Sequence, residues 1–162
     1  MGCCSMVNKD VWLWFDFGDA DFETAEHSLT MHRQRYEIIC YHCQQASEKY
    51  LKGYLLYNDV FPPKIHDLDK LCDMCKEYDA EFEGIYGECE GLSDYGVQPR
   101  YPNEMLIEEH HMKRALNDAR KIKEFAPLLA VRRELEQAIK GEEPPPLKEA
   151  TLPIPLNNTE DR

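Results

Sequence analysis

The stretch CYHCQQASEKYLKGYL, residues 40–55, governs how the rest of the chain is read. Counting from Tyr36, the residues Ile39, Cys40, Cys43, Ala46, Tyr50, Leu51, Tyr54 and Leu55 recur at steps of three and four. That spacing puts them on one stripe of an amphipathic helix. Pro62 and Pro63 end the segment, since proline cannot continue a helix. The other side of the same helix is polar. Gln44, Glu48 and Lys52 stand at i, i+4 and i+8, with Gln45 and Lys49 as a neighbouring pair. Glu48 ahead of Lys52 is the favourable order for a helical ion pair, worth about 0.2–0.5 kcal/mol when exposed. Two adjacent amides and two ammonium groups suit a solvated or network-forming face, a helix–helix interface, or a phosphate-bearing ligand.

The cysteines of this stretch raise a metal question. Cys40/Cys43 and Cys72/Cys75 are both CxxC pairs, a spacing used by zinc knuckles. Both pairs lie on the apolar stripe of an expected helix, where i and i+3 face the core in any case. They are expected to be buried free thiols, and the seven cysteines of the chain fit a reducing compartment. A di-iron bundle needs two Glu-x-x-His motifs, and Glu108 with His111 supplies one such spacing. No metal and no tightly held cofactor are expected. Neither G-x-x-x-x-G-K-[ST] nor G-x-G-x-x-G nor G-x-S-x-G occurs.

Working outward, period-2 alternation never persists, so the fold class is all-α: an antiparallel up-and-down bundle of four to five helices. A first helix is expected to start near Asp19, after Gly18, with Phe22, Ala25 or Glu26, and Leu29 inward. A third starts near Asp67, with Leu68, Leu71, Cys72, Cys75 and Tyr78 on one face. A fourth, irregular because of its glycines, runs through AEFEGIYGECEGL, residues 80–92. SDYGVQPRYPNE, residues 93–104, reads as a loop, and a fifth helix follows from Asn103 or Glu104. Pro127 ends it, kinks it or opens a further helix. The expected organisation is an N-terminal extension over 1–18, the bundle over 19–140, and a proline-rich, disordered or docking tail over 141–162. Trp12 and Trp14 are expected to be buried on the bundle or in a dimer seam.

Composition narrows the function classes. The 162 residues include 43% hydrophobic ones, enough for a core, and carry a formal charge of −12. That charge opposes general attraction to RNA or anionic membrane, though not a local basic pocket. No apolar run reaches the ~18 residues of a membrane span, MGCCSM lacks the Ser or Thr of a myristoylation signal, and a cytoplasmic location is expected.

Residues 40–55 resemble the signature helix of the HEPN domain family, through Cys40, His42, Gln44, Gln45, Ala46, Glu48, Lys49, Leu51 and Lys52, with Gly53 where alanine is usual. IHDL (65–68), RYP (100–102) and DFETAEHSL (21–29) resemble further family segments in the right order. The resemblance covers about residues 10–126. It implies a bundle that commonly forms homodimers, and members that are metal-independent RNases, partners of small nucleotidyltransferases, or nucleotide-binding modules. The RNase members carry Arg-x(4–6)-His near the start of a late helix. Here His110 follows Arg100 by ten residues, so the late-helix motif is absent. The expected function is therefore a nucleotide-binding or accessory module acting with a small nucleotidyltransferase in a toxin–antitoxin or defence setting. The ligand contacts expected are Gln45, Lys49, Lys52, His66, Arg100 and Tyr101. The alternatives are a divergent endoribonuclease using Arg100 with His66 or His110, and a non-enzymatic adaptor whose tail docks onto a partner.

Overall fold

The computed structural model describes residues 3–96 and 106–141, with side chains from residue 8 onward. Helix α1 spans Cys3–Ser28, α2 Tyr36–Tyr57, α3 Leu68–Lys76, α4 Tyr86–Ser93, α5 Glu109–Lys123 and α6 Ala126–Gly141. A 3₁₀ turn, Ala80–Ile85, precedes α4, and a second, Asp94–Gly96, follows it. No strand occurs among the described residues. The expected all-helical bundle is present. The described residues hold six α-helices, the last of them because Pro127 sits in the first turn of a separate helix, where its missing N–H costs nothing.

Helix α2 is the axis of the core. Ile39, Cys40, Cys43, Ala46, Tyr50, Leu51 and Leu55 are fully buried, so the stripe expected from the sequence is the packed face. Leu68, Leu71, Cys72 and Cys75 of α3, Phe82 and Ile85 of the 3₁₀ turn, and Cys89 and Leu92 of α4 pack on it. Met112, Leu116, Ala119 and Ile122 of α5 and Leu128, Val131 and Leu135 of α6 complete the core.

The start of α1 differs from expectation. The helix does not begin near Asp19; it runs through Gly18 without interruption. Gly18 is a contact residue rather than a stop signal: a Cβ there would lie 2.5 Å from Cε1 of Tyr50. Gly53, in the place of the usual alanine, makes the reciprocal approach, its Cβ position lying 3.1 Å from Cε2 of Phe15 and from Cβ of Trp14. Two glycines thus set α1 close against α2. Asp19 is not a cap; it anchors a node between helices. Arg132 of α6 grips it in a two-pronged pair at 2.7 and 2.8 Å, Tyr50 donates to it at 2.8 Å, and Lys123 lies 3.1 Å away. Val11 and Phe15 enter the core, whereas Trp12 and Trp14 are half-buried on the single chain.

Two further boundaries move. The segment expected as one irregular helix is split, with 3₁₀ geometry up to Ile85 and Asp79 accepting from the Glu81 N–H at 2.9 Å. Helix α5 starts at Glu109, not at Asn103 or Glu104; residues 106–108 are non-helical and residues 103–105 fall outside the described ones. Its first turn is tied by the Glu108 N–H, which donates to Nδ1 of His111 at 3.1 Å.

Candidate functional site

The polar side of α2 is not a solvated face. Gln44, Glu48 and Lys52 are nearly inaccessible, at 0%, 6% and 5% exposure. Because a buried charge is stable only when paired and hydrogen-bonded, each of these groups must have partners, and each does. Nζ of Lys52 donates to Oε1 of Glu48 at 2.7 Å. Nε2 of Gln44 donates to Oε2 of Glu48 at 3.2 Å and to the backbone carbonyl of His66 at 3.0 Å. Nδ1 of His66 lies 3.0 Å from Oε1 of Glu48, while its ring stays largely exposed.

A second carboxylate repeats the arrangement one turn away. Asp21, from α1, accepts from Lys49 and lies 2.9 Å from Nδ1 of His42. All three side chains are about four-fifths buried. The two nodes are joined by the paired glutamines. Lys49 donates to Oε1 of Gln45 at 3.4 Å, and Nε2 of Gln45 donates to Oε1 of Gln44 at 2.8 Å. A continuous polar chain therefore runs His42–Asp21–Lys49–Gln45–Gln44–Glu48, ending in Lys52 and His66. Each amide uses its oxygen as acceptor and its nitrogen as donor, which fixes the direction of the run.

The expected contacts are thus brought together in part. Gln45, Lys49 and His66 share the network and keep some surface. Lys52 shares it too, but sealed inside against Glu48, with the Trp14 ring 6.0 Å from its amine. Arg100 and Tyr101 lie outside the described residues. Gly96, four residues before Arg100, packs on the network: a Cβ there would lie 2.9 Å from Nε2 of Gln44. His110 stands exposed in the first turn of α5, 3.2 Å from Oε2 of Glu108, and none of the hydrogen bonds or ion pairs of the network reaches it. Asp21 and His42 were not among the expected contacts. Their signals were present, since His42 belongs to the α2 motif and Asp21 to the opening-helix segment. Their pairing requires two positions 21 residues apart to meet.

Arg35 and His42 have six residues between them and so fit Arg-x(4–6)-His by spacing alone. The position is wrong for the family's RNase motif, because α2 is an early helix. The side chains also part ways: Arg35 is exposed beside Glu37, and His42 is held by Asp21.

Beside Lys49, the surface between α1 and α2 opens into a groove of about 440 Å³. Leu13, Trp14, Phe17, Leu56, Asp10 and Lys49 line it. Leu13 and Phe17 are 48% and 59% exposed, high values for large apolar side chains. Cys40, Cys43, Cys72 and Cys75 are buried free thiols in the core, and among the described residues the one group of three or more convergent ligand side chains does not include them. Burial pushes the Cys40 thiol up to about 12 and those of Cys43 and Cys75 further up, which keeps them protonated and unreactive.

In comparison with known proteins, the family model described as HEPN domain matches residues 11–130. No curated protein and no solved structure matches the chain.

Proposed function

We propose that this chain, which belongs to the HEPN domain family, is a nucleotide-binding accessory module that acts as a homodimer beside a small nucleotidyltransferase, in a cytoplasmic toxin–antitoxin or defence setting. The observation that carries this reading is the position of Lys49, between the polar network and the aromatic groove. An ammonium group has three N–H donors. Asp21 and Gln45 take two of them, and the third is available to a phosphate oxygen. The groove is within the size range of small-ligand sites, and Trp14 and Phe17 give it flat apolar walls suited to a base. Gln45, half-buried on the same helix face, and His66, exposed in the connection from α2 to α3, belong to the network that Lys49 joins, and Arg100 and Tyr101 lie four and five residues after Gly96 in the sequence. Lys52 acts in this scheme through Glu48. The strong net negative charge disfavours a long polyanion more than a single nucleotide.

Thermal unfolding with ATP and other nucleotides tests the reading. At ligand tenfold above its dissociation constant, mass action adds about 1.4 kcal/mol, a rise of roughly 3–6 °C for a domain of this size. The rise should vanish in Lys49→Ala, with the melting of the unliganded variant recorded as a folding control. No shift with any nucleotide removes the proposal.

One observation favours a second reading, metal-independent RNA cleavage. Glu48 holds Nδ1 of His66 while the rest of the ring faces solvent. A carboxylate that orients an imidazole in this way leaves Nε2 for proton transfer, as a general base for a 2′-hydroxyl requires. RNA cleavage by the purified chain without metal, lost in both His66→Ala and Arg100→Ala, would establish it over the binding role.

A further inference from the structure

The first turn of α5 and the residue before it gather three side chains that the network does not use. Glu108, His110 and His111 each present a ligand atom, and these atoms all lie within 4.8 Å of one another. The rings of His110 and His111 sit 3.9 Å apart, tilted by 37°. Nδ1 of His110 is 3.2 Å from Oε2 of Glu108. Glu108 and His110 are exposed and His111 is half-buried, so the group is open on one side.

We propose that Glu108, His110 and His111 form an open binding site for a borderline divalent transition metal such as Zn²⁺ or Ni²⁺. Two imidazoles and one carboxylate are the donors such ions select, whereas Mg²⁺ and Ca²⁺ require an oxygen-rich shell. Four-coordinate zinc with bonds of about 2.0–2.1 Å holds its ligands about 3.4 Å apart. The donors here therefore need to close by little more than 1 Å, which rotation of exposed side chains supplies. Three protein ligands leave a fourth position to solvent, unlike the closed shell of a structural zinc site.

The geometry also shows what binding disturbs. Glu108 has two carboxylate oxygens, and Oε2 faces Nδ1 of His110; a carboxylate in that position fixes a histidine tautomer and leaves Nε2 with its lone pair. His111 is different. Its Nδ1 lone pair accepts the Glu108 N–H at 3.1 Å, so as a neutral ring it carries its proton on Nε2. To ligate, His111 must release that hydrogen bond and give the lone pair to the metal, while the Glu108 N–H turns to water. The exchange is permitted because Glu108 is solvent-exposed. Metal binding and the capping of α5 are thus coupled through one nitrogen. A bound ion would pull on the helix end that directly follows the segment carrying Arg100 and Tyr101.

Titration of the untagged full chain with Zn²⁺ and with Ni²⁺ tests the site, read by calorimetry and by the amide NMR signal of Glu108. One saturable equivalent is expected, with the Glu108 amide shifting as its hydrogen bond to His111 is lost. His110→Ala and Glu108→Gln should each weaken binding by about tenfold or more, the scale that even outer-shell partners command, and His110→Ala/His111→Ala should remove it. Circular dichroism melts of the metal-free variants confirm that they remain folded. Co²⁺ as a spectroscopic probe should give weak ligand-field bands without thiolate charge transfer. No saturable binding, equal affinity in the double variant, or thiolate bands that report cysteine ligation would each overturn the assignment.

Discussion

Lys52→Met tests whether the polar face of α2 is a buried network. The substitution keeps the length and apolar stem of the side chain and deletes only the ammonium group. Lys52 and Glu48 are 6% and 8% exposed at their side chains and 2.7 Å apart. On an open helix surface, losing this i,i+4 pair would cost about 0.5 kcal/mol or less. Breaking a buried pair costs about 3–5 kcal/mol, because a charge is left without compensation. Glu48 is not left alone, since Gln44 donates to it at 3.2 Å and His66 lies at 3.0 Å. Hydrogen bonds to a charged group retain part of the stabilisation, which brings the expected cost to about 2–3 kcal/mol. Urea unfolding followed by circular dichroism measures it, and the melting temperature should fall by roughly 5–10 °C. Glu48→Gln/Lys52→Met closes the cycle: with no charge to strand, the double variant should be more stable than Lys52→Met alone. A cost for Lys52→Met under about 0.5 kcal/mol, or a double variant that is simply the sum of the two singles, would refute the buried-network account.

Gly18→Ala should cost about 1–3 kcal/mol, because the new methyl meets a Tyr50 ring that is fully buried and tethered by its hydroxyl to Asp19. Gly53→Ala should cost less: both substitutions gain about 1 kcal/mol of helix propensity, but the approach at Gly53 is 3.1 Å rather than 2.5 Å, so less crowding is left to offset; equal effects in chemical denaturation would count against the close-approach role of Gly18. For Asp19, burial works to raise the pKa, but the hydrogen bonds from Arg132, Tyr50 and Lys123 outweigh it and hold the carboxyl at about 2. A pKa depressed below its unfolded value of about 3.9 means stability that is present above that pH and lost as pH falls toward 2. Stability measured from pH 5 down to pH 2 should therefore drop less steeply in Asp19→Asn than in the parent, and parallel curves would exclude the node as a source of acid sensitivity.

Much of the fold is legible from local pattern. The stripe from Ile39 to Leu55 is the packed face of α2, the cysteines on it are core residues, and Asp67 directly precedes α3 as expected. The same logic misread Gly18. A glycine after an apolar run reads as a boundary when only neighbours in sequence are known, yet here it answers a tyrosine ring 32 positions later. The split of residues 80–93 between 3₁₀ and α geometry, and the late start of α5, are also matters of capping that composition leaves open.

The sequence by itself determined that this chain would be a helical bundle around α2, and that Gln44, Gln45, Glu48, Lys49 and Lys52 would lie together on one side of that helix, because helical spacing alone aligns them. Tertiary structure alone decided that this side is enclosed. α1 brings Asp21 to Lys49 from 28 residues away, and the approach to α3 brings His66 to Glu48. A side chain's charge and spacing are local properties; its burial and its partner depend on what the rest of the chain places against it. For that reason Lys52, which reads in sequence as a cation facing outward for a ligand, is in the fold an internal counter-ion.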